Sequence, residues 1–329
     1  MKRLSSIILL FVVGIILTAC NADKTTSETN KNTDSNKINV YTTVYPLSFF
    51  AEKIGGDYVN VSSIYPPGSN EHTFEPTQQD MMKLADADIF FYIGLGLEGF
   101  VENAKKTLAN ENVTLVATAD HVSEEKLLMS TGSGEHANET SEAEEHDHED
   151  THNHGEFDPH VWLSPTISQD LALLIKEELV KEMPEQEKTF NENYENLVKE
   201  LETLNNEFEK MASEASSKTF FVSHSAFGFI AGQYGLEQVA IAGINSQSEP
   251  SQKELTKIVD LAEELNIKYI LFEQNVSSNL TSVIQQEVGA KSLTLHNLSV
   301  LTEEDIQNNE DYFTLMSKNI ESLRTALNP

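Results

Sequence analysis

Between residues 190 and 211, apolar side chains recur at spacings of 4, 3, 4, 3, 4 and 3: Phe190, Tyr194, Leu197, Leu201, Leu204, Phe208 and Met211. That rhythm puts one apolar stripe along a helix. Pro184 breaks whatever precedes it, and Pro-Glu-Gln-Glu is a good helix start with acids in the first turn. A helix from about Glu185 to Ala212 would be roughly 42 Å long at 1.5 Å per residue. Such a rod has two uses, as half of a coiled-coil dimer or as a backbone lying along two lobes of one chain. It lacks sustained charge pairing at the flanking e and g positions, which favours the second use.

The segments on either side fit that reading. Ile38–Val44, Val59–Tyr65, Asp88–Ile93 and Val113–Ala117 are short β-rich runs, and Leu47–Ile54, Gln78–Ala85 and Glu98–Ala109 between them read as helices. The pattern restarts with strands at Lys218–Ser223, Gln238–Ile241, Lys268–Phe272 and Lys291–His296, and helices at Ala226–Tyr234, Gln252–Leu265, Leu280–Val288 and Asp311–Leu327. Alternation of this kind predicts an α/β fold with mostly parallel sheets covered by helices. The expected organisation is two similar βα lobes, residues 38–165 and 214–329, joined through linking helices over 166–213 that include one long rigid backbone helix.

The N-terminus carries export signals. Lys2 and Arg3 precede an apolar run from Leu4 to Leu17, then Leu17-Thr18-Ala19-Cys20. A positive start, an apolar core and a small-residue cleavage site read as a leader over residues 1–19. The core is shorter than the roughly 20 residues a membrane span needs, which disfavours an uncleaved anchor. Cys20 is the only cysteine of the 329 residues, so no internal disulfide is available to it. Leu-Thr-Ala-Cys resembles the lipobox of bacterial lipoproteins, which implies a lipid on Cys20 and anchoring to the membrane by two acyl chains. Residues 20–37 are nearly devoid of apolar side chains and read as a tether. The chain is then placed outside the cytoplasm of a bacterium, and the lack of disulfides suits a Gram-positive surface.

The formal net charge is −31. Nucleic acid needs Lys and Arg partners for its phosphates, so it is excluded as a partner. Cations, in contrast, are concentrated near such a surface. Ser130 to Gly155 is a biased insert in which His136, His146, His148, His152 and His154 stand among Glu and Asp residues. It reads as an auxiliary metal-binding loop, with a purely solubilising role as the bland alternative.

Of the other five histidines, His72 lies in the Pro-rich loop after a strand, His160 lies just before a helical run beginning near Thr166, and His224 follows the strand TFFVS. Ligand sites in open α/β sheets form beyond the carboxyl ends of strands, so these three can converge. Converging imidazoles are a typical set of Zn²⁺ ligands, whereas each one alone is an ordinary loop histidine. The residues by themselves leave both readings open. His121, also at a strand exit, is expected to be a surface histidine.

Several motifs resemble those of the metal-specific solute-binding proteins of bacterial ABC transporters, in their zinc branch. They are Glu71-His72 with Glu75-Pro76, then Asp158-Pro159-His160-Val161-Trp162-Leu163-Ser164-Pro165, and Ser223-His224-Ser225-Ala226-Phe227-Gly228, with Glu249-Pro250-Ser251 and Phe272-Glu273 in support. The resemblance implies two lobes on one long helix and His72, His160 and His224 as Zn²⁺ ligands. A third imidazole at His224, where the manganese branch has a carboxylate, implies zinc over the harder Mn²⁺. Many relatives place a carboxylate where this chain has Ser299. Glu71 or a water is expected to replace it, with His296 as an outside candidate. Glu273 and Asp158 are expected behind the ligands, Asp158 orienting an imidazole.

The function implied is capture of Zn²⁺ outside the membrane by a monomer and its delivery to an ABC permease with a cytoplasmic ATPase. Two rivals remain. A zinc hydrolase would also use three histidines, but no separate activating constellation accompanies His72, His160 and His224. A surface adhesin or metal buffer would need an exposed apolar patch.

Overall fold

The computed structural model describes residues 37–131, 157–246, 248, 250–274 and 279–329. The leader, Cys20, the tether and the five histidines of the insert lie outside the described residues. No helix among the described residues is long and apolar enough to cross a membrane.

The first lobe contains β1 (Ile38–Thr42), α1 (Tyr45–Gly55), β2 (Val59–Ser63), α2 (Gln78–Ala85), β3 (Ile89–Tyr92), α3 (Val101–Thr107), β4 (Thr114–Ala117) and the short α4 (Glu124–Leu127). Two helices follow, α5 (Pro165–Glu182) and α6 (Glu187–Glu214). The second lobe contains β5 (Thr219–His224), α7 (Gly228–Tyr234), β6 (Glu237–Ala242), α8 (Gln252–Glu264), β7 (Tyr269–Phe272), α9 (Asn279–Glu287), β8 (Lys291–Thr294), α10 (Glu303–Gln307) and α11 (Tyr312–Leu327). Each lobe has a four-stranded sheet, ordered β2-β1-β3-β4 in the first and β6-β5-β7-β8 in the second. All pairings are parallel, so the two sheets repeat one topology. Strand order reverses direction beside β1 and beside β5, which is where crevices for ligands open in such sheets.

Helix α6 is the predicted rod. Phe190, Leu197, Leu201, Leu204, Phe208 and Met211 are buried, and Tyr194 is half-buried. The stripe is consumed within the chain, against α1, α5, α7 and α11. Phe208 stacks on Tyr234 of α7, with ring centroids 5.2 Å apart and planes 8° from parallel. One continuous apolar core runs from the first lobe through these helices into the inner face of the second lobe. A smaller separate cluster around Phe221, Ile241, Ile270 and Ile284 fills the outer side of the second sheet. The lone tryptophan, Trp162, joins the halves: its indole N–H donates to the Asn297 carbonyl at 2.7 Å, and the Tyr312 hydroxyl donates to the Trp162 carbonyl at 2.9 Å.

Two boundaries and one short helix differ from expectation for identifiable reasons. Glu98 was expected to open a helix, but its buried carboxylate accepts the N–H groups of Ile93 and Gly94 at 2.8 and 3.0 Å and the Thr43 hydroxyl at 2.8 Å. It holds the turn after β3, where Leu95 has φ 54°, and α3 begins only at Val101. Strand β8 ends before His296 because the His296 N–H turns to the Asn319 side chain (2.7 Å) rather than continuing the ladder. The short α10 escapes periodicity altogether, and a reciprocal capping box between Thr302 and Asp305 sets it.

Candidate metal centre

His224 is the last residue of β5, paired in register with Ala242 of β6, so the sheet itself aims its side chain into the crevice. His160 precedes a single 3-10 turn, Val161–Leu163, that leads into α5. His72 sits in the loop between β2 and α2, where Asn70 fixes the backbone by accepting the His72 N–H at 3.0 Å. The Asn70 amide also donates across to the Ser246 hydroxyl of the second lobe at 3.1 Å.

The three rings meet. Their centroids are 5.2 Å (His72–His160), 5.1 Å (His72–His224) and 5.0 Å (His160–His224) apart, close to an equilateral triangle. One nitrogen from each lies within 4.8 Å of the others, and among the described residues this is the group of three or more potential ligands that could hold a metal. Nε2 of His160 is 3.2 Å from Nε2 of His72. Two nitrogens bound tetrahedrally to Zn²⁺ at 2.0–2.1 Å would lie about 3.3 Å apart.

Which nitrogen faces inward is settled by what holds the other. His160 Nδ1 is 2.7 Å from Asp158 Oδ1, which also accepts the His160 backbone N–H at 3.0 Å. His224 Nδ1 lies 3.0 and 3.2 Å from the two oxygens of Glu273, at the exit of β7. Both carboxylates are buried and fix their imidazoles with Nδ1 protonated, which leaves Nε2 for a metal. The Ser223 hydroxyl braces Glu273 from behind at 3.0 Å.

The electrostatics separate the imidazoles. Burial and the neighbouring His160 and His224 rings push His72 down to about 2, so it is neutral. Burial also acts against charge on His224, but the Glu273 carboxylate overcomes it and raises this ring to about 9. Its Nε2–H then donates to the Ile244 carbonyl at 2.8 Å. A metal arriving at Nε2 must displace that proton and that carbonyl together. Burial works to raise Glu273, yet the charge and hydrogen bond of His224 hold its carboxyl below the usual range.

Glu71 and His296, the side chains considered for the fourth position, each hold other partners. Glu71 is buried beside the cluster but outside the three-nitrogen group. Its oxygens accept from the Ser299 hydroxyl at 3.0 Å and the Asn297 amide at 3.1 Å, and burial raises its pKa. Ser299, which stands where a carboxylate was expected, is therefore the donor that positions Glu71. His296 is turned away: Nδ1 accepts the Leu298 N–H at 2.9 Å and Nε2 lies 3.1 Å from Asp305. With both nitrogens occupied it takes no part in the cluster. The residue that sequence reasoning missed is Asn297, whose amide joins Glu71 to Glu273 (2.9 Å to the latter). Its position after β8, at a strand exit next to Ser299, was the available signal. His121 is exposed, as expected, and Glu249 lies outside the described residues.

Two parallel-sheet lobes on a shared helical spine, with three imidazoles facing one another in the crevice, give the architecture of a two-lobed protein with a candidate cation site. A family model described as the zinc-uptake complex component A, periplasmic, matches residues 40–326, and the chain belongs to that family. It is 37% identical over 290 residues to the zinc-binding protein AdcA of Streptococcus pyogenes, covering 88% of this chain and 56% of AdcA. The chain thus spans just over half the length of that streptococcal relative. It is 32% identical over 326 residues to the high-affinity zinc uptake system protein ZnuA of Bacillus subtilis, covering 99% of this chain and 98% of ZnuA. Among solved structures it resembles the Zn(II)-bound ZnuA-like domain of Streptococcus pneumoniae AdcA, with a TM-score of 0.69 and 31% identity over 89% of this chain and all of that domain.

Proposed function

We propose that this chain captures Zn²⁺ outside the cytoplasmic membrane and delivers it to an ABC permease driven by a cytoplasmic ATPase. The observation that carries the reading is the triangle of three imidazoles, two of them locked by buried carboxylates into the tautomer that presents Nε2. His72, His160 and His224 bind the ion. Glu71, kept on Ser299 and Asn297, contributes negative charge beside it, and a water completes the tetrahedron. An all-nitrogen set of this kind favours Zn²⁺ over Mn²⁺.

The same arrangement supports release. An imidazole binds metal only through a deprotonated nitrogen, so protons compete directly with the metal. The chain acts as a monomer, held at the membrane by lipid on Cys20 through the 20–37 tether. Residues 38–165, 166–213 and 214–329 are its working units, and His136, His146, His148, His152 and His154 gather zinc as an auxiliary loop.

Calorimetric titration of the metal-free protein tests this reading. One tight Zn²⁺ event with weak Mn²⁺ binding is expected, and replacing the five insert histidines by alanine should leave that event intact. Loss of tight binding with the insert histidines would overturn the assignment to the crevice.

A further inference from the structure

Asp158 has two oxygens, and only one serves His160. The other, Oδ2, accepts a short bond (2.6 Å) from the hydroxyl of Ser130, which is itself buried. Ser130 is far away in sequence, on the segment that leaves α4. Its neighbours explain why it arrives there. The Thr131 N–H donates to the Gly228 carbonyl at 3.2 Å, at the first residue of α7 in the second lobe. The Met129 carbonyl presses on the same helix at Gly232, where an added Cβ would lie 1.6 Å from the Met129 oxygen. The segment 129–131 therefore straps α7 to the His160 side of the crevice. Gly228 is the end of the Ser223–Gly228 run that begins beside His224, so the strap touches the supports of ligands on both sides.

We propose that Ser130 is a positioning residue for zinc binding: with Gly232 admitting the Met129–Thr131 strap, its hydroxyl fixes the Asp158 carboxylate and so the orientation of His160. The inference rests on His160 being a zinc ligand. Without the Ser130 bond, Asp158 is anchored only through Oδ1 by the His160 backbone N–H, and the carboxylate that accepts the Nδ1–H of His160 is held less firmly. The imidazole then samples orientations in which Nε2 no longer points at the other two rings. Partners directly behind a ligand typically contribute 10–100-fold in metal affinity. Ser130 lies one bond further out, so its removal should weaken Zn²⁺ binding by roughly 3–10-fold, chiefly through faster dissociation.

The test uses the full chain with Ser130→Ala, Ser130→Thr, Gly232→Ala and His160→Ala, each loaded separately with Zn²⁺ and with Co²⁺ as a spectroscopic probe. Ser130→Ala should speed zinc loss by about 3–10-fold and shift the visible Co²⁺ bands. Ser130→Thr, which keeps the hydroxyl, should restore both. Gly232→Ala, which must push the strap away, should reproduce the Ser130→Ala spectrum. A Ser130→Ala protein with wild-type zinc release and an unchanged Co²⁺ spectrum, while His160→Ala loses tight binding, would overturn the role of Ser130 alone. Wild-type affinity in His160→Ala would overturn the zinc-site reading itself, and the proposal with it.

Discussion

The two lobes share one strand order but hold their histidines by different means. In the second lobe His224 is part of a strand, and both its ring nitrogens are engaged, by Glu273 and by the Ile244 carbonyl. In the first lobe His72 rides on a loop, is half-buried, and is fixed through its backbone by Asn70. His160, between them, borrows its rigidity from Asp158. The cores differ in the opposite sense. In the first sheet every residue of the central strand β3 is buried, and its core is continuous with that of the linking helices. The outer side of the second sheet has only a small cluster, and α8 buries a single residue, Ala262. The lobe with the stiffer ligand thus has the softer exterior. Rigidity at a site comes from what touches the ligand, not from the bulk of the lobe around it.

The comparison can be broken at its joint. Trp162 is fully buried where the lobes meet, and Trp162→Ala should cost about 3–5 kcal/mol. Because the inner core is continuous, thermal unfolding should drop sharply while remaining a single transition. Two separated transitions, followed by calorimetry, would show that the lobes have independent cores. Ile284→Ala in the outer cluster should instead raise hydrogen exchange in α8 and α9 and leave the first lobe unaffected.

Next in size are the carboxylates behind the ligands. Asp158→Asn should weaken Zn²⁺ binding by about 10–100-fold in a competition titration. Glu273→Gln should act on pH dependence as well. His224 titrates at about 9 in the metal-free protein because of Glu273, and the metal needs its Nε2 deprotonated. Below that pKa each zinc therefore displaces a proton, and apparent affinity should rise up to tenfold per pH unit from 7 towards 9. Removing the Glu273 charge lowers the pKa of His224, and the rise between pH 7 and 9 should flatten. An unchanged slope would mean that another group holds the competing proton.

The smallest effect is expected at Glu71. If its carboxylate only supplies charge from its seat on Ser299 and Asn297, Glu71→Gln should weaken zinc by several-fold, less than Asp158→Asn. A loss greater than that of Asp158→Asn would make Glu71 a direct ligand.

Much of this was legible in the chain. The stripe from Phe190 to Met211 announced α6, and the doubled βα alternation announced two sheets, because periodicity reports burial directly. His72 lay in the loop after a strand, His160 just ahead of a helix and His224 at a strand end, and Asp158 lay two residues from the ring it orients. What was not legible depends on contacts distant in sequence. Glu71 was a candidate for the fourth position alongside a water, and nothing in the chain signalled that Ser299 and Asn297, more than 220 residues away, hold its oxygens. His296 was a candidate until its nitrogens were found on Leu298 and Asp305. Ser130 looked like the first residue of a low-complexity insert and proves to be the base on which Asp158 rests.

The central claim is that one ion is held by Nε2 of three histidines between the lobes. Diffraction from zinc-loaded crystals, measured on both sides of the zinc absorption edge, tests it most directly. The account predicts one strong anomalous peak about 2.0–2.1 Å from Nε2 of His72, His160 and His224, with Nδ1 of His160 and His224 still on their carboxylates. A principal peak away from this triangle, or coordination through Nδ1, would contradict it.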